Sequence, residues 1–487
     1  MMEKQIKRMG IVLTLLFLVL FVQLNNLQWF QAAKLSSSVQ NPRVAIRMYD
    51  QARGTIQIAN GQIIAQSVPS HDKYKFQRVY PNGPLYADIT GYFSLVYGNW
   101  GIESSYNKYL ISHTHAITNI NQLITSNNGP DDVTLTINAA LQSQAQQSLG
   151  SKIGAVVALN PRNGDILAMY SSPSYDPNLL ASHNVNEVVS QWKSYLSNPT
   201  KPMLNRAIQR SYFPGSTFKI VTASAVYDHD PKLATKSFPY YTDIPLPNSN
   251  RHLANYDHEL CGGKLPLLMQ VSCDTGFGLI GLALGASNLV TEAQAFGFNK
   301  VPPIDIPGAA MSTIPSIASF ASNLPGVAYS AIGQENVQAT ALSMALAVSA
   351  IADGGTIMKP HLMSEITDSQ GNLVTEYKPT PWLDATSPAT AAAVTSLLVG
   401  VVNGGTASNI AIPGLEIAAK TGTAQTAVNG ALNNWMEAFA PAQNPSLVVV
   451  AVVPAQPGLP AQSTGSAQAG PIVKSMFETA IQQKLLP

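Results

Sequence analysis

Residues 154–170, with the sequence GAVVALNPRNGDILAMY, hold two apolar runs on either side of a polar turn. Short apolar runs around Asn, Pro and Gly predict a β-hairpin. Three more strand-like runs lie near the C-terminus, at 415–423, 435–440 and 447–453, before a helix-like segment that begins with Pro at 471–485. The region between these strands contains helical patterns at 218–227, 266–284 and 339–352. We therefore predict an α/β (α+β) fold in which distant segments form one sheet with helices on its faces.

The composition excludes several classes of protein. The 487 residues include 28 Lys and Arg against 27 Asp and Glu, so the chain lacks the basic excess of a nucleic-acid-binding protein. A hydrophobic fraction of 46% is ample for sizeable cores, which excludes a disordered chain. Two cysteines are too few for a four-cysteine zinc site, and the eight histidines show no H-E-x-x-H spacing. We expect two or three domains, no metal site and no nucleic-acid partner.

The first thirty residues predict a segment that spans a membrane. Lys4, Lys7 and Arg8 precede an apolar run over 9–22. That run alone is shorter than a bilayer span, but 9–30 is long enough. A cleaved signal peptide is the alternative. We favour an uncleaved signal anchor because no clean Ala-x-Ala site follows the apolar run.

The basic residues also predict the orientation of this anchor. Because positive residues stay on the cytoplasmic side, we expect 1–8 to be a cytoplasmic tail and 31–487 to lie outside the cytoplasm. An external location permits a disulfide bond between Cys261 and Cys273.

Ser216 and Lys219 form a Ser-x-x-Lys pattern that can supply a nucleophile and a base. The bare pattern is weak, since it also occurs at 70–73, 105–108 and 190–193. The copy at Ser216 differs because it opens an apolar run typical of the first turn of a buried helix. Positions i and i+3 share a helix face, so Lys219 can reach the Ser216 hydroxyl, and burial favours the neutral, basic form of a lysine. Taken alone, the pattern is better explained by a structural role, in which Ser216 caps the helix and Lys219 extends to water, than by catalysis.

Two further patterns follow along the chain. Residues 420–423 (Lys-Thr-Gly-Thr) end a predicted strand and can present a cation and a hydroxyl group to a carboxylate, while Gly422 leaves room for a substrate backbone along the strand edge. Residues 272–274 (Ser-Cys-Asp) lie within the helix pattern at 266–284 and offer a hydroxyl and a carboxylate. Each pattern by itself could be an ordinary strand end or a local turn.

The order Ser-x-x-Lys, Ser-x-Asp, Lys-Thr-Gly is the combination found in penicillin-binding proteins and class A β-lactamases. With further motifs in matching order, the chain resembles the class B penicillin-binding proteins, which are membrane-anchored D,D-transpeptidases, in the short form of the actinobacterial penicillin-binding protein A type. These motifs are Arg53-Gly54-Thr55-Ile56, Gly101-Ile102-Glu103, Asn205-Arg206-Ala207, Ile332-Gly333-Gln334 and residues 420–425.

The resemblance covers nearly the whole chain after residue 40 and implies its architecture. It implies a penicillin-binding serine transpeptidase domain at 151–487, with an antiparallel sheet flanked by helices. An N-terminal β-rich pedestal, similar to a dimerisation domain, would occupy 31–150, and one transmembrane helix would precede it at 9–30.

The resemblance also implies a role for each motif. Ser216 would attack the D-Ala-D-Ala bond of a peptidoglycan stem peptide, with Lys219 as its general base and Ser272 as a proton relay. Backbone N–H groups of Ser216 and Thr423 would form the oxyanion hole. The residues that would bind substrate are Asp274, Lys420, Thr421, Gly422 and Thr423. No cofactor would be needed, β-lactams would acylate the same serine, and a polytopic glycosyltransferase of the cell-wall machinery would be a partner at the plasma membrane.

One residue departs from the family pattern, in which the middle motif usually ends in Asn. Asp274 stands there instead, and an ionised carboxylate only accepts hydrogen bonds, whereas an amide both donates and accepts. Two interpretations remain open: Asp274 works partly protonated and mimics Asn, or its charge pairs with Lys219 or Lys420. The strand around 433–436 departs from the family pattern as well.

Two activities remain alternatives to a transpeptidase. A D,D-carboxypeptidase would carry the same three motifs but use water as the acceptor. A catalytically silent scaffold or β-lactam sensor would bind without turnover, although intact Ser216, Lys219 and Lys420 argue against it.

Overall fold

Two β-sheets organise the chain, one of five strands and one of six. In the computed structural model, the described residues are 2–30, 49–111, 113–114, 128–426, 431–460 and 462–487. The strands are β1 (Ile56–Ile58), β2 (Ile63–Pro69), β3 (Phe76–Val79), β4 (Phe93–Ser94), β5 (Gly98–Asn99), β6 (His113–Thr114), β7 (Asn128–Gly129), β8 (Asp132–Leu135), β9 (Gly154–Leu159), β10 (Ile166–Ser172), β11 (Phe238–Tyr241), β12 (Asp243–Pro245), β13 (His252–Ala254), β14 (Cys261–Gly263), β15 (Thr356–Met358), β16 (Met363–Thr367), β17 (Leu373–Glu376), β18 (Pro381–Asp384), β19 (Ala418–Gln425), β20 (Leu432–Ala440) and β21 (Leu447–Val453).

The α-helices lie mainly between these strands. They are α1 (Met2–Asn25), α2 (Gly83–Thr90), α3 (Ile102–Ser105), α4 (Asn107–Leu110), α5 (Ala139–Leu149), α6 (Asn178–Ala181), α7 (Val185–Ser197), α8 (Lys219–His229), α9 (Lys232–Thr235), α10 (Leu265–Gln270), α11 (Asp274–Ala295), α12 (Leu324–Ser330), α13 (Ala341–Ala352), α14 (Pro388–Gly404), α15 (Gly465–Gln468) and α16 (Gly470–Gln482).

The five-stranded sheet has the order β10-β9-β21-β20-β19, and each neighbouring pair is antiparallel. The hairpin predicted at 154–170 supplies β9 and β10, and the three C-terminal runs supply the other strands. Every residue of β9, β20 and β21 is buried, because α13 packs on these strands and α5 and α16 also cover the sheet. The predicted antiparallel sheet flanked by helices is therefore confirmed.

The six-stranded sheet has the order β17-β16-β8-β1-β2-β3 and forms the β-rich pedestal. Its strands β16 and β17 lie more than two hundred residues after β8 in sequence. Strand β16 pairs antiparallel with β8 and with β17. The pedestal sheet therefore contains strands from both sides of the predicted boundary at residue 150: β1, β2, β3 and β8 precede it, and β16 and β17 follow it. The first part of the predicted pedestal, 31–48, lies outside the described residues.

The N-terminal helix α1 runs into a short π-helix, Asn26–Phe30. Its apolar side chains are exposed, including Phe17 and Phe21 at 70% each. Two helical segments in the described chain are long and apolar enough to cross a membrane, this one and α11. More than half of the apolar window of α11 is buried in the fold, so α11 is a core helix.

The helix predicted at 266–284 is interrupted, and that prediction was wrong in this respect. Helix α10 ends at Gln270, and α11 begins only at Asp274. Between them Ser272 adopts a left-handed conformation with φ 59°, and the Cys273 N–H turns back to the Leu268 carbonyl at 2.8 Å. The sequence has no Gly or Pro here to signal a break.

A buried ionic cluster holds the pedestal together. The Glu103 carboxylate accepts hydrogen bonds from Arg53 Nε at 2.8 Å and from Arg78 Nε at 2.6 Å, and Tyr80 adds its hydroxyl at 3.1 Å. Burial alone would raise the pKa of Glu103, but the charges and hydrogen bonds of Arg78 and Arg53 outweigh it and hold the pKa below its usual value. Two arginines therefore depend on one carboxylate.

We predict that Glu103→Gln lowers the free energy of unfolding by about 3–5 kcal/mol, because it leaves two buried cations without a counter-charge. Since the folded-state pKa of Glu103 is depressed, its contribution is complete above the unfolded value, about 4.3, and is lost as pH falls through the folded value. Urea unfolding at pH 7 measures the loss, with the exposed Glu478→Gln as control. Equal unfolding midpoints for the two variants would contradict the assignment.

Candidate active site

Ser216 lies in a 3-10 turn, Gly215–Phe218, that leads directly into α8. Gly215 has φ 57°, and a Cβ at this position would lie 2.9 Å from the Ala424 Cβ and 3.1 Å from the Thr423 carbonyl oxygen. A side chain here would therefore push the turn away from β19. The glycine brings the backbone of Ser216 close to the backbone around Thr423.

Lys219 is fully buried and does not reach the hydroxyl of Ser216, which corrects the contact expected from helix spacing. Its ammonium group donates to the Ser272 carbonyl oxygen at 2.7 Å, to the Asp274 carboxylate at 2.7 Å and to Ser272 Oγ at 3.3 Å. The Ser216 hydroxyl donates instead to Asp274 Oδ1, at a long 3.5 Å. Asp274 thus lies between the nucleophile and the lysine, and the structure gives its carboxylate a cationic partner.

The environment of Lys219 favours loss of its proton. Burial lowers the pKa of Lys219, and the charge and hydrogen bond of Asp274 only partly oppose this shift. The ring of Phe277, whose centroid lies 5.2 Å from Lys219 Nζ, also opposes the shift, because the face of an aromatic ring attracts a cation. A buried lysine with a lowered pKa is suited to act as a base.

The break between α10 and α11 places Ser272 between two lysines. Ser272 Oγ lies 3.3 Å from Lys219 Nζ and 2.8 Å from Lys420 Nζ. A continuous helix would carry this side chain elsewhere, so the interruption is what gives the hydroxyl both contacts. Ser272 can therefore pass a proton between the lysines or toward a third group.

A disulfide bond connects this break to a neighbouring strand. Cys261 on β14 is joined to Cys273, with Cα atoms 5.8 Å apart. Next to it, the Asn255 side chain accepts a hydrogen bond from the Thr275 N–H at 2.8 Å. The first turn of α11, which carries Asp274, is therefore held by a covalent bond and by a side chain from another loop.

Lys420 extends from β19 and is also fully buried. Its ammonium group donates to Ser272 Oγ at 2.8 Å and to the Thr421 carbonyl oxygen at 3.0 Å. Burial lowers the pKa of Lys420 well below its usual value, and the nearby charge of Lys219 lowers it further, against the opposing charges of Asp274 and Glu437. Two cations thus converge on one hydroxyl group.

Gly422 serves a different purpose from the one expected. A Cβ at Gly422 would lie 2.7 Å from the Pro214 carbonyl oxygen and 2.9 Å from Thr217 Cγ2. The space that the absent side chain leaves is filled by the protein's own 3-10 turn, rather than kept for a substrate backbone. Strand β19 is the edge strand of its sheet, and this contact fixes that edge against Ser216.

The hydroxyl groups of the same strand are held by neighbours that the sequence patterns did not reveal. Thr421 Oγ1 shares a hydrogen bond of 2.7 Å with Thr406 Oγ1, and Thr423 Oγ1 accepts from the Gly465 N–H at 3.1 Å. Thr406 follows α14 and Gly465 begins α15. Both are distant in sequence from Lys420-Thr421-Gly422, and no motif could have identified them.

These groups surround one cavity of about 730 Å³, within the usual size of a ligand site. Its lining includes Ser216, Ser272, Asp274, Thr421 and Thr423, five of the eight residues predicted as catalytic or substrate-binding. Lys219 and Lys420 lie beneath this surface and contact it through Ser272. In the described part of the chain, no group of three His, Cys, Asp or Glu residues could hold a metal ion.

The chain matches the models of two protein domains. Residues 154–478 match the penicillin binding protein transpeptidase domain, and residues 53–132 match the penicillin binding protein A dimerisation domain. The peptidoglycan D,D-transpeptidase PbpA of Mycobacterium tuberculosis is 34% identical over 500 residues, which cover 99% of each chain. The PbpA of Mycolicibacterium smegmatis is also 34% identical, over 99% of this chain and all of its own.

The fold shows the same relationship. The structure of penicillin-binding protein A from M. tuberculosis as a ceftriaxone acyl-enzyme complex superimposes with a TM-score of 0.82, over 90% of this chain and all of that one, at 34% identity. Its penicillin G acyl-enzyme complex gives a TM-score of 0.80. The chain therefore belongs to the penicillin-binding protein transpeptidase family.

Proposed function

We propose that this protein is a peptidoglycan D,D-transpeptidase that cross-links stem peptides through an acyl-enzyme on Ser216, and that β-lactams inhibit it by acylating the same residue. The observation that carries the proposal is the convergence of Lys219 and Lys420 on Ser272 Oγ beside the Ser216 cavity. The full-length similarity to enzymes named D,D-transpeptidase supports it.

Acylation begins with attack of Ser216 Oγ on the carbonyl carbon of the D-Ala-D-Ala bond. The proton of Ser216 passes to Lys219, whose pKa is lowered by burial, through Asp274 Oδ1, which lies 3.5 Å from Ser216 Oγ and 2.7 Å from Lys219 Nζ. The tetrahedral oxyanion is stabilised by the backbone N–H groups of Ser216 and Thr423, which the packing at Gly215 brings near each other. When the C–N bond breaks, the leaving D-Ala amine takes a proton through Ser272.

Deacylation uses an amine of a neighbouring stem peptide. The amine attacks the acyl carbonyl carbon and loses a proton to the same lysine–serine group. The ester bond between the acyl carbon and Ser216 Oγ then breaks, and the lysine–serine group returns the proton to Ser216 Oγ. No cofactor takes part in these steps. The terminal carboxylate of the donor peptide binds the hydroxyl groups of Thr421 and Thr423, close to the positive charge of Lys420.

Asp274 takes a role different from that of an Asn in this scheme. Its 2.7 Å contact with Lys219 supports the interpretation in which the carboxylate pairs with a lysine. The same oxygen accepts the Ser216 hydroxyl at 3.5 Å. Asp274 therefore holds the nucleophile and the base together before substrate binds.

We expect wild-type protein to be labelled by fluorescent penicillin and Ser216→Ala to remain unlabelled, because the substitution removes the only atom that the acyl group joins. An unlabelled wild type would favour the silent scaffold.

Incubation with a stem-peptide donor and an amine acceptor, followed by mass spectrometry, separates the two enzymatic alternatives. A cross-linked dimer supports a transpeptidase, whereas a shortened donor alone indicates a carboxypeptidase.

For Asp274→Asn we predict that the acidic limb of the pH profile of β-lactam acylation moves to lower pH. The Asp274 charge raises the pKa of Lys219, so its removal lets Lys219 lose its proton at lower pH. The measurement is the acylation rate constant of both proteins across the pH range. Superimposable profiles, or a shift to higher pH, would show that the Asp274–Lys219 ion pair does not determine the position of the acidic limb.

We propose that α1 anchors the chain in the plasma membrane with its N-terminus in the cytoplasm, and that a polytopic glycosyltransferase binds there. The exposed apolar surface of α1 supports the anchor and gives a partner within the membrane a face to pack on. The basic residues before the apolar run, Lys7 and Arg8, support the orientation. If α1 is an anchor, the chain will sediment with membranes. If the N-terminus is cytoplasmic, protease added to spheroplasts will digest residues 31–487. If the glycosyltransferase binds α1, a photo-crosslinker at Phe17 will capture it. A crosslinker at the exposed Leu196 is the control. Recovery in the soluble fraction, or equal capture from both positions, contradicts the proposal.

A further inference from the structure

A second carboxyl group lies next to the catalytic lysines and has no place in the scheme above. Glu437 on β20 is the direct cross-strand partner of Lys420 on β19, so both side chains project from the same face of the sheet. Both are fully buried. Within the described chain, neither carboxyl oxygen of Glu437 has a hydrogen-bond partner. A buried carboxyl without such partners is rare and calls for an explanation.

Lys420 is the charged group that acts on Glu437. On the other side of β20, Glu437 is paired with Val450 of β21. The 3-10 turn at Ser216, α13, α15 and β21, which also pack on β20, carry no titratable side chain. Helix α16 carries Lys474, which is half-buried, and Glu478, which is exposed. Lys420 in turn faces Lys219, Asp274 and Glu437.

Burial shifts both groups toward their neutral forms, and the charge of each shifts the other toward its charged form. Burial raises the pKa of Glu437 well above its usual value, and the charge of Lys420 opposes this shift. Burial and Lys219 lower the pKa of Lys420, while Asp274 and Glu437 raise it. Each group is costly to bury as a lone charge, but together they need only one proton between them.

The charges of the site form two pairs. Asp274 lies against Lys219 at 2.7 Å, and Glu437 lies across the strand from Lys420. Two carboxyl groups raise the pKa of Lys420, Asp274 more than Glu437, and without Glu437 only Asp274, which also contacts Lys219, would remain to oppose burial and the neighbouring lysine. An ammonium group in this position would lose its proton more readily as pH rises.

We propose that Glu437 is a positioning residue that keeps Lys420 cationic, so that the charge of Lys420 beneath the cavity attracts the carboxylate of a donor peptide or a β-lactam to Thr421 and Thr423. The inference rests on the proposed function and deepens it, because it assigns the alkaline limit of substrate capture to a residue outside the three motifs. Glu437 itself touches no substrate. It acts through Lys420 alone.

The test compares wild type, Glu437→Gln and Glu437→Asp in the acylation of Ser216 by benzylpenicillin between pH 5 and 10. Glu437→Gln keeps the shape of the side chain but cannot carry the charge. We expect its alkaline limb to move to lower pH, with a loss of roughly tenfold in second-order acylation at alkaline pH, the equivalent of one pH unit. The loss should appear in the penicillin concentration for half-saturation and not in the maximal rate. Glu437→Asp should recover most of it.

Glu292→Gln is the matched control. Burial, with a contribution from Asp228, raises the pKa of Glu292 to about 8, and the residue lies on α11 away from the cavity lining. Its pH profile should match wild type. Thermal unfolding shows whether each variant is folded.

The outcomes separate this inference from the proposed function. An unlabelled wild type overturns the proposed function and the inference with it. A labelled wild type whose profile coincides with that of folded Glu437→Gln overturns the inference alone. A shift confined to the acidic limb also overturns it, because Glu437 would then act on Lys219. If Glu437→Gln does not fold, Glu437→Met, which also lacks the charge, takes its place: an alkaline limb moved to lower pH supports the inference, and a profile that coincides with wild type overturns it.

Discussion

Two buried lysines share one serine hydroxyl, and the architecture of the site depends on this contact. Lys219 and Lys420 come from a helix and a strand that are far apart in sequence, yet both approach Ser272 Oγ within 3.3 Å. Like charges at this distance repel, and burial removes the water that would screen them. The arrangement persists only because backbone carbonyls and the carboxyl groups of Asp274 and Glu437 surround the pair.

The elements that carry these side chains are held from several directions. The disulfide at Cys273 and the side chain of Asn255 fix the start of α11, and the close packing at Gly215 and Gly422 fixes the 3-10 turn against β19. Each constraint lies within a few residues of a reacting group. Because the groups sit on rigid elements, little rearrangement is needed when substrate arrives.

Much of the fold and the site could be predicted from the sequence because the patterns there are local. The hairpin at 154–170 and the strand runs at 435–440 and 447–453 are mainly apolar and bounded by turn residues, and the order of the three motifs identifies the family. Individual contacts between side chains of distant segments could not be predicted. Neither the left-handed conformation of Ser272 nor the supports from Thr406 and Gly465 has a local signature, since each is imposed by packing. Glu437 was missed for the same reason: an isolated Glu in an apolar strand has meaning only once its cross-strand neighbour is known.

The pedestal sheet has a consequence for biosynthesis. Strand β8 pairs with β16, which begins only at Met363, after most of the chain between them has been made. As synthesis proceeds from the N-terminus, β8 must therefore wait with one edge unpaired, and an open edge invites pairing with other chains. The pedestal cannot complete its sheet before the other domain is largely synthesised. The pedestal therefore reaches its final fold only together with the second half of the chain. Until then, a chaperone that covers the free edge of β8 would protect the nascent chain from aggregation.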